Sequence, residues 1–400
     1  MSNNERYSLN DLFLSCMCKR NLILPGTKIL MLIGKELYLR IRRRIDDDDI
    51  PAICRFLSDN PKVVSVNLAY NRITDKGMLP LVAFLETNQS LVELNLMCND
   101  IREDGVIKLA ELKITINLKS LRLNGNKIGP KGLKSLAMML SINETLRQLD
   151  IGETDQNIES LVYFTTVLRT TNKNLQSITL NRVLGPPGHV LQTDAVAQLL
   201  QQTLVINKTL SELQLQKIGF ADHDIEILVE GLKKNTTLQS LDLSCNNIGD
   251  FGMEFLAAYI GEKPPLAALR LSSNNVGDTG ARSLSFKFPY SKIVYLDISK
   301  NKMTDTGLLD ILNCLKKEHQ VKGLFLRGNK IGEKTAKVLF RMLLSGVLND
   351  KTLDIHVFGS KGRFQFSITE AVDHVMPHYY CMCAGAECSF CHPHTVMEIR

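Results

Sequence analysis

Tryptophan is absent from the 400 residues, and aromatic side chains make up only 6%. A core this poor in rings must be filled by Leu, Ile, Val and Ala. Long apolar runs are missing as well. A stretch such as Ile29 to Ile33 is far too short to cross a bilayer, so no membrane partner is expected. The start, Met1-Ser2-Asn3-Asn4-Glu5-Arg6, has no basic segment leading into an apolar one, which argues against a secretory signal. No sign of charge dominates: the net charge of +6 is too mild to argue for direct nucleic-acid binding. Enzyme motifs are missing too. There is no phosphate-binding Gly loop with Lys, no Gly-x-Ser-x-Gly elbow and no His-Glu-x-x-His, so no catalytic residues are expected. What is present, 44% hydrophobic and 22% charged residues, is a globular composition that excludes wholesale disorder.

An intracellular chain keeps its thiols reduced. Of the ten cysteines, Cys54, Cys98, Cys245 and Cys314 stand singly and read as small buried hydrophobes. The other six fall near the two ends.

One pattern recurs: apolar, two residues, apolar, one residue, apolar, two residues, Asn. Clear copies are Val63-Val66-Leu68-Asn71, Leu91-Leu94-Leu96-Asn99, Leu118-Leu121-Leu123-Asn126, Leu238-Leu241-Leu243-Asn246, Leu266-Leu269-Leu271-Asn274, Ile293-Leu296-Ile298-Asn301 and Val321-Leu324-Leu326-Asn329. Weaker copies begin at Leu146, Leu175 and Leu210. The spacing is close to 28 residues throughout, with one longer step from Leu175 to Leu210. Within a copy the second and third apolar positions alternate, which marks a short strand with one buried face. The Asn ends the strand, where its amide can bond backbone groups leaving the ladder. Then come an apolar residue and often Asp and Gly, as in Ile73-Thr74-Asp75-Lys76-Gly77, with the Asp expected to cap the following helix. Apolar residues at helical spacing follow, as in Met253-Phe255-Leu256-Tyr259-Ile260. Four glycosylation-like strings, at Asn88, Asn143, Asn207 and Asn235, sit at one place in the repeat, three residues before a strand's first apolar position, so the repeat itself accounts for them.

A strand–turn–helix unit cannot bury its own apolar face, and stacking ten builds one continuous core. The expected fold is α/β: a curved solenoid, or horseshoe, with parallel strands on the concave face and helices on the convex face. These repeats resemble leucine-rich repeats of the ribonuclease-inhibitor type, which the Ran GTPase-activating proteins and the sensor arms of NOD-like receptors share. The resemblance covers roughly residues 35 to 360 and is specific for fold, not for function. With no enzyme motif, the expected function is a non-enzymatic scaffold that binds an intracellular protein partner on its concave face, as a monomer. A vertebrate member of similar length and repeat count implies a cytoplasmic and nuclear, or nucleolar, regulator of stem or germ cells. The enzymatic alternative is a GTPase-activating protein of the Ran type. Those proteins carry a strongly acidic C-terminal tail, and this sequence ends in Cys, His and apolar residues.

The expected organisation is a helical cap with a degenerate repeat over residues 1–62, ten repeats over 63–347, a cap strand in 348–370 and a Cys/His-rich tail over 371–400. The cap helix is read from Ser8 to Arg20, the degenerate repeat from Leu37 to Leu57, and the last strand from Leu353, Ile355 and Val357. Thr154 and Val183 stand where Asn is expected, and the sixth copy has none. Val183-Leu184-Gly185-Pro186-Pro187-Gly188-His189-Val190 adds length to the fifth and should project as a loop. Arg40, Arg42, Arg43 and Arg44 precede Asp46 to Asp49, which reads as a self-paired surface or an import signal.

Two sites are candidates. The central outward strand positions run Asn67, Asn95, Arg122, Asp150, Thr179, Gln214, Asp242, Arg270, Asp297, Phe325. Mixed sign makes this no nucleic-acid funnel. Asp242, Arg270 and Asp297 form either a solvated ladder of charges or, with Tyr295, Phe325 and Arg327, a partner-binding patch. The tail holds His374, His378, Cys381, Cys383, Cys388, Cys391, His392 and His394. No cofactor is expected except zinc there, with Cys381, Cys383, Cys388 and Cys391 as ligands, although the spacing matches no standard finger.

Overall fold

The computed structural model describes residues 17–19, 26–34, 44–112, 116–316, 321–360 and 363–368. The chain divides into two compact units, Met1–His189 and Val190–Tyr379. The first holds strands β1 (Met17–Lys19), β2 (Lys28–Met31), β3 (Val63–Asn67), β4 (Glu93–Asn95), β5 (Ser120–Arg122), β6 (Gln148–Asp150) and β7 (Ser177–Thr179). Its helices are α1 (Ile50–Asp59), α2 (Asp75–Thr87), α3 (Glu103–Glu111), α4 (Gly129–Leu140) and α5 (Ile158–Thr170). Strands β2 to β7 pair in parallel in chain order, and β1 closes the edge antiparallel to β2.

The second unit opens on α6 (Thr193–Ile206) and continues β8 (Glu212–Gln214), α7 (Asp222–Lys234), β9 (Ser240–Asp242), α8 (Asp250–Gly261), β10 (Ala268–Arg270), α9 (Asp278–Lys287), β11 (Tyr295–Asp297), α10 (Asp305–Asn313), β12 (Gly323–Phe325) and α11 (Glu333–Leu344). Strands β8 to β12 are parallel and in register. A hairpin, β13 (Ile355–Ser360) with β14 (Arg363–Ile368), ends the described chain and pairs antiparallel. All ten expected starts carry a strand and a helix, the weak copies included, so the fold class is α/β as expected. The core lies between the two layers: Leu241 from β9, Leu243 just after it, and Met253, Leu256 and Ile260 from α8 are fully buried.

Side-chain ladders stitch the repeats along each unit. The consensus Asn is the first. Asn99 Nδ2 donates to Leu96 O in its own repeat at 3.0 Å and to Leu68 O in the preceding one at 2.9 Å, while its Oδ1 accepts the Ile73 N–H at 3.1 Å. Asn71, Asn126, Asn246, Asn274, Asn301 and Asn329 repeat this two-way bond. Thr154 keeps half of it, its hydroxyl donating to Ile151 O at 2.6 Å. The second ladder is the set of glycosylation-like asparagines. Asn235 follows the last residue of α7, accepts the Thr237 and Leu238 N–H groups at 2.9 and 2.8 Å, and donates back to Leu204 O. Asn143, Asn207 and Asn235 are buried, as the repeat-based reading requires.

The third ladder corrects an expectation. The Asp of the Asp-x-Gly turn does not cap its own helix; that task falls to Thr74, which accepts the Lys76 N–H at 3.2 Å. Asp75 is the first residue of α2, and its carboxylate accepts the Arg102 N–H at the start of the next repeat's helix at 2.8 Å. Asp47, Asp222, Asp250, Asp278 and Asp305 do the same one repeat on. The Gly follows from this: a Cβ at Gly77, Gly105, Gly252 or Gly280 would stand 2.5–2.8 Å from the preceding repeat's carboxylate oxygen. Asp47 and Asp49 are thus spent on backbone and Thr partners, Asp47 on Thr74 and Asp49 on the Asp46 N–H.

Other readings shift at the ends. Met17–Lys19, inside the stretch expected to be helical, is a strand that gives β2 an edge partner. The remainder of Ser8–Arg20 lies outside the described residues. The degenerate repeat takes its strand from Lys28–Met31, ahead of the expected span, and its helix from Ile50–Asp59. Leu353, Ile355 and Val357 are buried, but beyond the single Leu324–Leu353 bridge this segment pairs with β14 and not with β12. Cys54 is buried, Cys98 and Cys314 are half-buried, and Cys245 is exposed. Cys98 and Cys245 occupy the turn just before the consensus Asn at φ 52° and 59°, a left-handed position that points side chains outward.

Candidate functional site

The six candidate partner-binding residues lie in the second unit, and the strands bring most of them together. Register places Asp242, Arg270, Asp297 and Phe325 side by side on β9 to β12, and Ala268, Tyr295 and Gly323 side by side two residues earlier. Arg327 follows β12. The row is not the solvated ladder of one reading. Asp242 is 2% exposed, Arg270 9% and Phe325 6%, while Tyr295 and Asp297 are half-buried. Strands about 4.8 Å apart bring long neighbours into contact, and they cover one another.

Each charge has a distinct setting. Asp242 Oδ2 accepts from Gln216 Nε2 at 2.6 Å and lies 3.5 Å from Arg270 Nη1. Its Oδ1 accepts the Ser244 N–H at 2.9 Å. Asp297 Oδ1 accepts both the Ser299 N–H at 3.0 Å and the Ser299 hydroxyl at 2.6 Å. Arg327 Nε lies 3.8 Å from Asp354 Oδ2. Sequence reasoning missed Asp354. It is 1% exposed, and its two oxygens accept the Leu326 and Arg327 N–H groups, so a side chain ends the ladder where another strand would. Its signal was its place between Leu353 and Ile355, the polar step in an alternating run. Burial pushes its carboxyl up to about 6. The first unit has a counterpart in Arg122 and Asp150, register partners 4.0 Å apart, where burial again pushes the Asp150 carboxyl up to about 6.

Gly323 shapes the aromatic part. A Cβ there would meet the Tyr295 ring at 2.9 Å and the Phe325 ring at 3.1 Å. Both rings therefore pack over the bare backbone of Gly323, the Tyr295 ring half-exposed and the Phe325 ring buried. Elsewhere, Pro186 to Val190 of the inserted loop are exposed, while Val183 fills the core at the missing Asn position and Leu184 bridges to Asn157.

Among the described residues no group of three His, Cys, Asp or Glu side chains is placed to hold a metal ion. Cys381, Cys383, Cys388 and Cys391 lie outside the described residues. Nor, among those residues, is any helix long and apolar enough to cross a membrane.

Comparison with known proteins bears on the scaffold. Residues 59–82, 87–110, 116–137, 234–257, 263–285 and 291–312 match the Leucine Rich repeat family. These are leucine-rich repeats. The matched stretches are six of the seven clear copies; the weak copies at Leu146, Leu175 and Leu210 are not among them, though each has its strand and helix. Solved structures are similar at low identity. An internalin from Listeria monocytogenes shares 20% identity, covering 73% of this chain and 74% of that one, with a TM-score of 0.37. The leiomodin-1 actin-binding site 2 shares 19% over 35% of this chain and 78% of that one, with a TM-score of 0.27. A tropomodulin C-terminal domain from Caenorhabditis elegans shares 13% over 41% of this chain and 93% of that one, with a TM-score of 0.33. No curated protein matches by sequence.

Proposed function

We propose that this leucine-rich-repeat protein is a non-catalytic scaffold of the ribonuclease-inhibitor type that binds an intracellular protein partner on the strand face of its second unit. The observation that carries this reading is the surface of Tyr295 and Phe325 over Gly323, set beside the paired charges of Asp242 and Arg270. Aromatic and Arg side chains on a polar face are what protein interfaces concentrate. Mechanism is then rigid presentation. Side chains already fixed by strands and ladders lose little freedom on binding, which lowers the cost of association. A cytoplasmic and nuclear or nucleolar setting belongs to the same proposal, by resemblance.

The test is partner capture from cells with three baits: wild type, a Tyr295→Ala/Phe325→Ala protein, and a protein lacking residues 371–400. Thermal melting by circular dichroism confirms that each bait is folded. Loss of the main partner from the double variant alone supports the scaffold reading. Loss only from the truncated bait would place the function in the tail and sink it.

A further inference from the structure

The central strand position has a structural duty that needs no charge. Asn67 Oδ1 accepts the Ala69 N–H at 3.0 Å, and Asn95 Oδ1 accepts the Met97 N–H at 3.0 Å, holding the chain as it leaves the sheet. Asp150, Asp242 and Asp297 make the same bond, to the N–H two residues on. An asparagine would serve. A carboxylate there adds only a negative charge, and burying charge is costly unless something compensates it.

For two of the three the compensation is visible. Asp150 stands beside Arg122, and Asp242 beside Arg270. Asp297 differs. Its bonds go to Oδ1, and Oδ2 accepts none from the described residues. Its two register neighbours are Arg270, whose guanidinium lies against Asp242, and Phe325. Burial first, then the negative charge of Asp242, raises the Asp297 carboxyl above the ordinary range against the pull of Ser299 and Arg270. The wider face leans the same way. Glu212, Asp242, Asp297 and Asp354 oppose Arg270 and Arg327, and each of those arginines already sits against an aspartate.

We infer that Asp297 is the receptor for a basic side chain, Arg or Lys, of an extended segment of the partner, with Tyr295 and Phe325 as the aromatic wall beside it. The inference rests on the strand-face reading above and names the chemistry of what binds there. An incoming cation supplies a close counter-charge where Asp297 now shares Arg270 with Asp242, and stacks on the half-exposed Tyr295 ring, whose face attracts cations. The face thus fits a basic peptide and rejects an acidic one.

The test is selection of a random twelve-residue display library on the full chain, followed by binding of the recovered peptides to purified variants. The expected result is enrichment of Arg or Lys, with binding weakened at least tenfold by Asp297→Asn and unchanged by Glu254→Gln on the exposed face of α8. Asp297→Asn keeps the turn bond, so the fold is retained, and circular dichroism checks this. Failure to enrich Arg or Lys, whether or not peptides are recovered, overturns the inference. Equal binding of basic peptides to Asp297→Asn does too. Peptides that lack basic residues but are lost on Tyr295→Ala overturn it while leaving the scaffold reading in place. Peptides that bind equally to Tyr295→Ala and Phe325→Ala remove both.

Discussion

Replacing Asn274 with alanine cuts a stitch between two repeats, and its cost can be worked from the bonds. The Asn274 amide donates to Leu243 O and Leu271 O, each at 3.0 Å, and accepts the Ile248 N–H at 3.1 Å. The side chain is 6% exposed. Alanine leaves the Ile248 N–H without its acceptor, while Leu243 O and Leu271 O each lose one of two donors and keep the amides of Asn246 and Asn301, both at 2.9 Å. An unmet buried N–H costs about 1–3 kcal/mol and each lost second bond about 0.5–1.5 kcal/mol, which sets a ceiling of about 6 kcal/mol. Water admitted to the gap recovers part of that, so the expected loss is about 2–4 kcal/mol. Threonine should cost about 1 kcal/mol less, because at Thr154 a hydroxyl keeps one of the bonds, to Ile151 O at 2.6 Å. With no tryptophan to report unfolding, the assay is urea denaturation followed by far-ultraviolet circular dichroism. A repeat array can open in pieces, so amide exchange at Ile248 should be read alongside it. A loss under about 1 kcal/mol with Ile248 exchange unchanged would refute the ladder argument, as would a threonine variant as unstable as the alanine one.

Other expectations follow from single contacts. Leu243→Ala should destabilise the fold by about 2–5 kcal/mol in urea, because the side chain is fully buried; a change under about half a kcal/mol would put it on the wrong face. Gly280→Ala should cost about 1–3 kcal/mol, since its Cβ would meet Asp250 Oδ1 at 2.8 Å; the cost should shrink in an Asp250→Ala background, as a double-mutant cycle would read. Tyr259→Phe should be neutral or stabilising by up to about 1–2 kcal/mol, because the buried hydroxyl has no partner among the described residues; clear destabilisation would reveal one. Stability should rise as pH is lowered from about 7.5 to about 5. Burial holds Asp150 and Asp354 near 6 against an ordinary 3.8, so their contribution is full below 3.8 and is lost as pH rises through about 6. Each raised carboxyl is worth on the order of 1–3 kcal/mol over that range. Asp278 and Asp305 oppose this only at lower pH. Burial raises them, but Thr, Gly and backbone donors outweigh it, so their contribution is lost below the ordinary carboxylate range. A flat profile between pH 7.5 and 5 in urea would sink the prediction.

The repeat was legible because it is written in one-residue detail at a fixed spacing, and burial enforces it. Leu91, Leu94 and Leu96 face inward whatever lies on either side. Even the weak copies kept their strands, since stacking on a neighbour supplies what local pattern lacks. What escaped was chemistry that crosses from one repeat to the next. Asp75 looks like a cap for its own helix because the cap residue lies one step away in sequence. Only the fold shows that its oxygen reaches Arg102, 27 residues on. Asp354 escaped for the same reason, as its partners Leu326 and Arg327 belong to the preceding repeat. The strand-face residues were found by position, yet their burial was not, because exposure there depends on the size of neighbours one strand away. At the N-terminal end, Ile29 to Ile33 read as an apolar run without a role, since the repeat that would frame it has no consensus Asn.

These cross-repeat bonds also bear on how the strand face works. At the turns after β3, β4 and β9 to β12 the Asn ladder fixes the end of the strand, the Asp ladder fixes the start of the next helix, and the chain between them holds the αL residue. A side chain at the central strand position is then tied at its backbone, and where it is Asn or Asp its first oxygen is tied as well. The only freedom left to Asp297 is the charge on Oδ2, and to Tyr295 and Phe325 the small ring shifts that Gly323 permits. A face this constrained cannot remodel around an arbitrary partner. Its selectivity must come from where the weakly compensated Asp297 charge and the half-exposed Tyr295 ring lie before anything binds, so single substitutions at Asp297 or Tyr295 should change which ligands bind more than they change whether the chain folds.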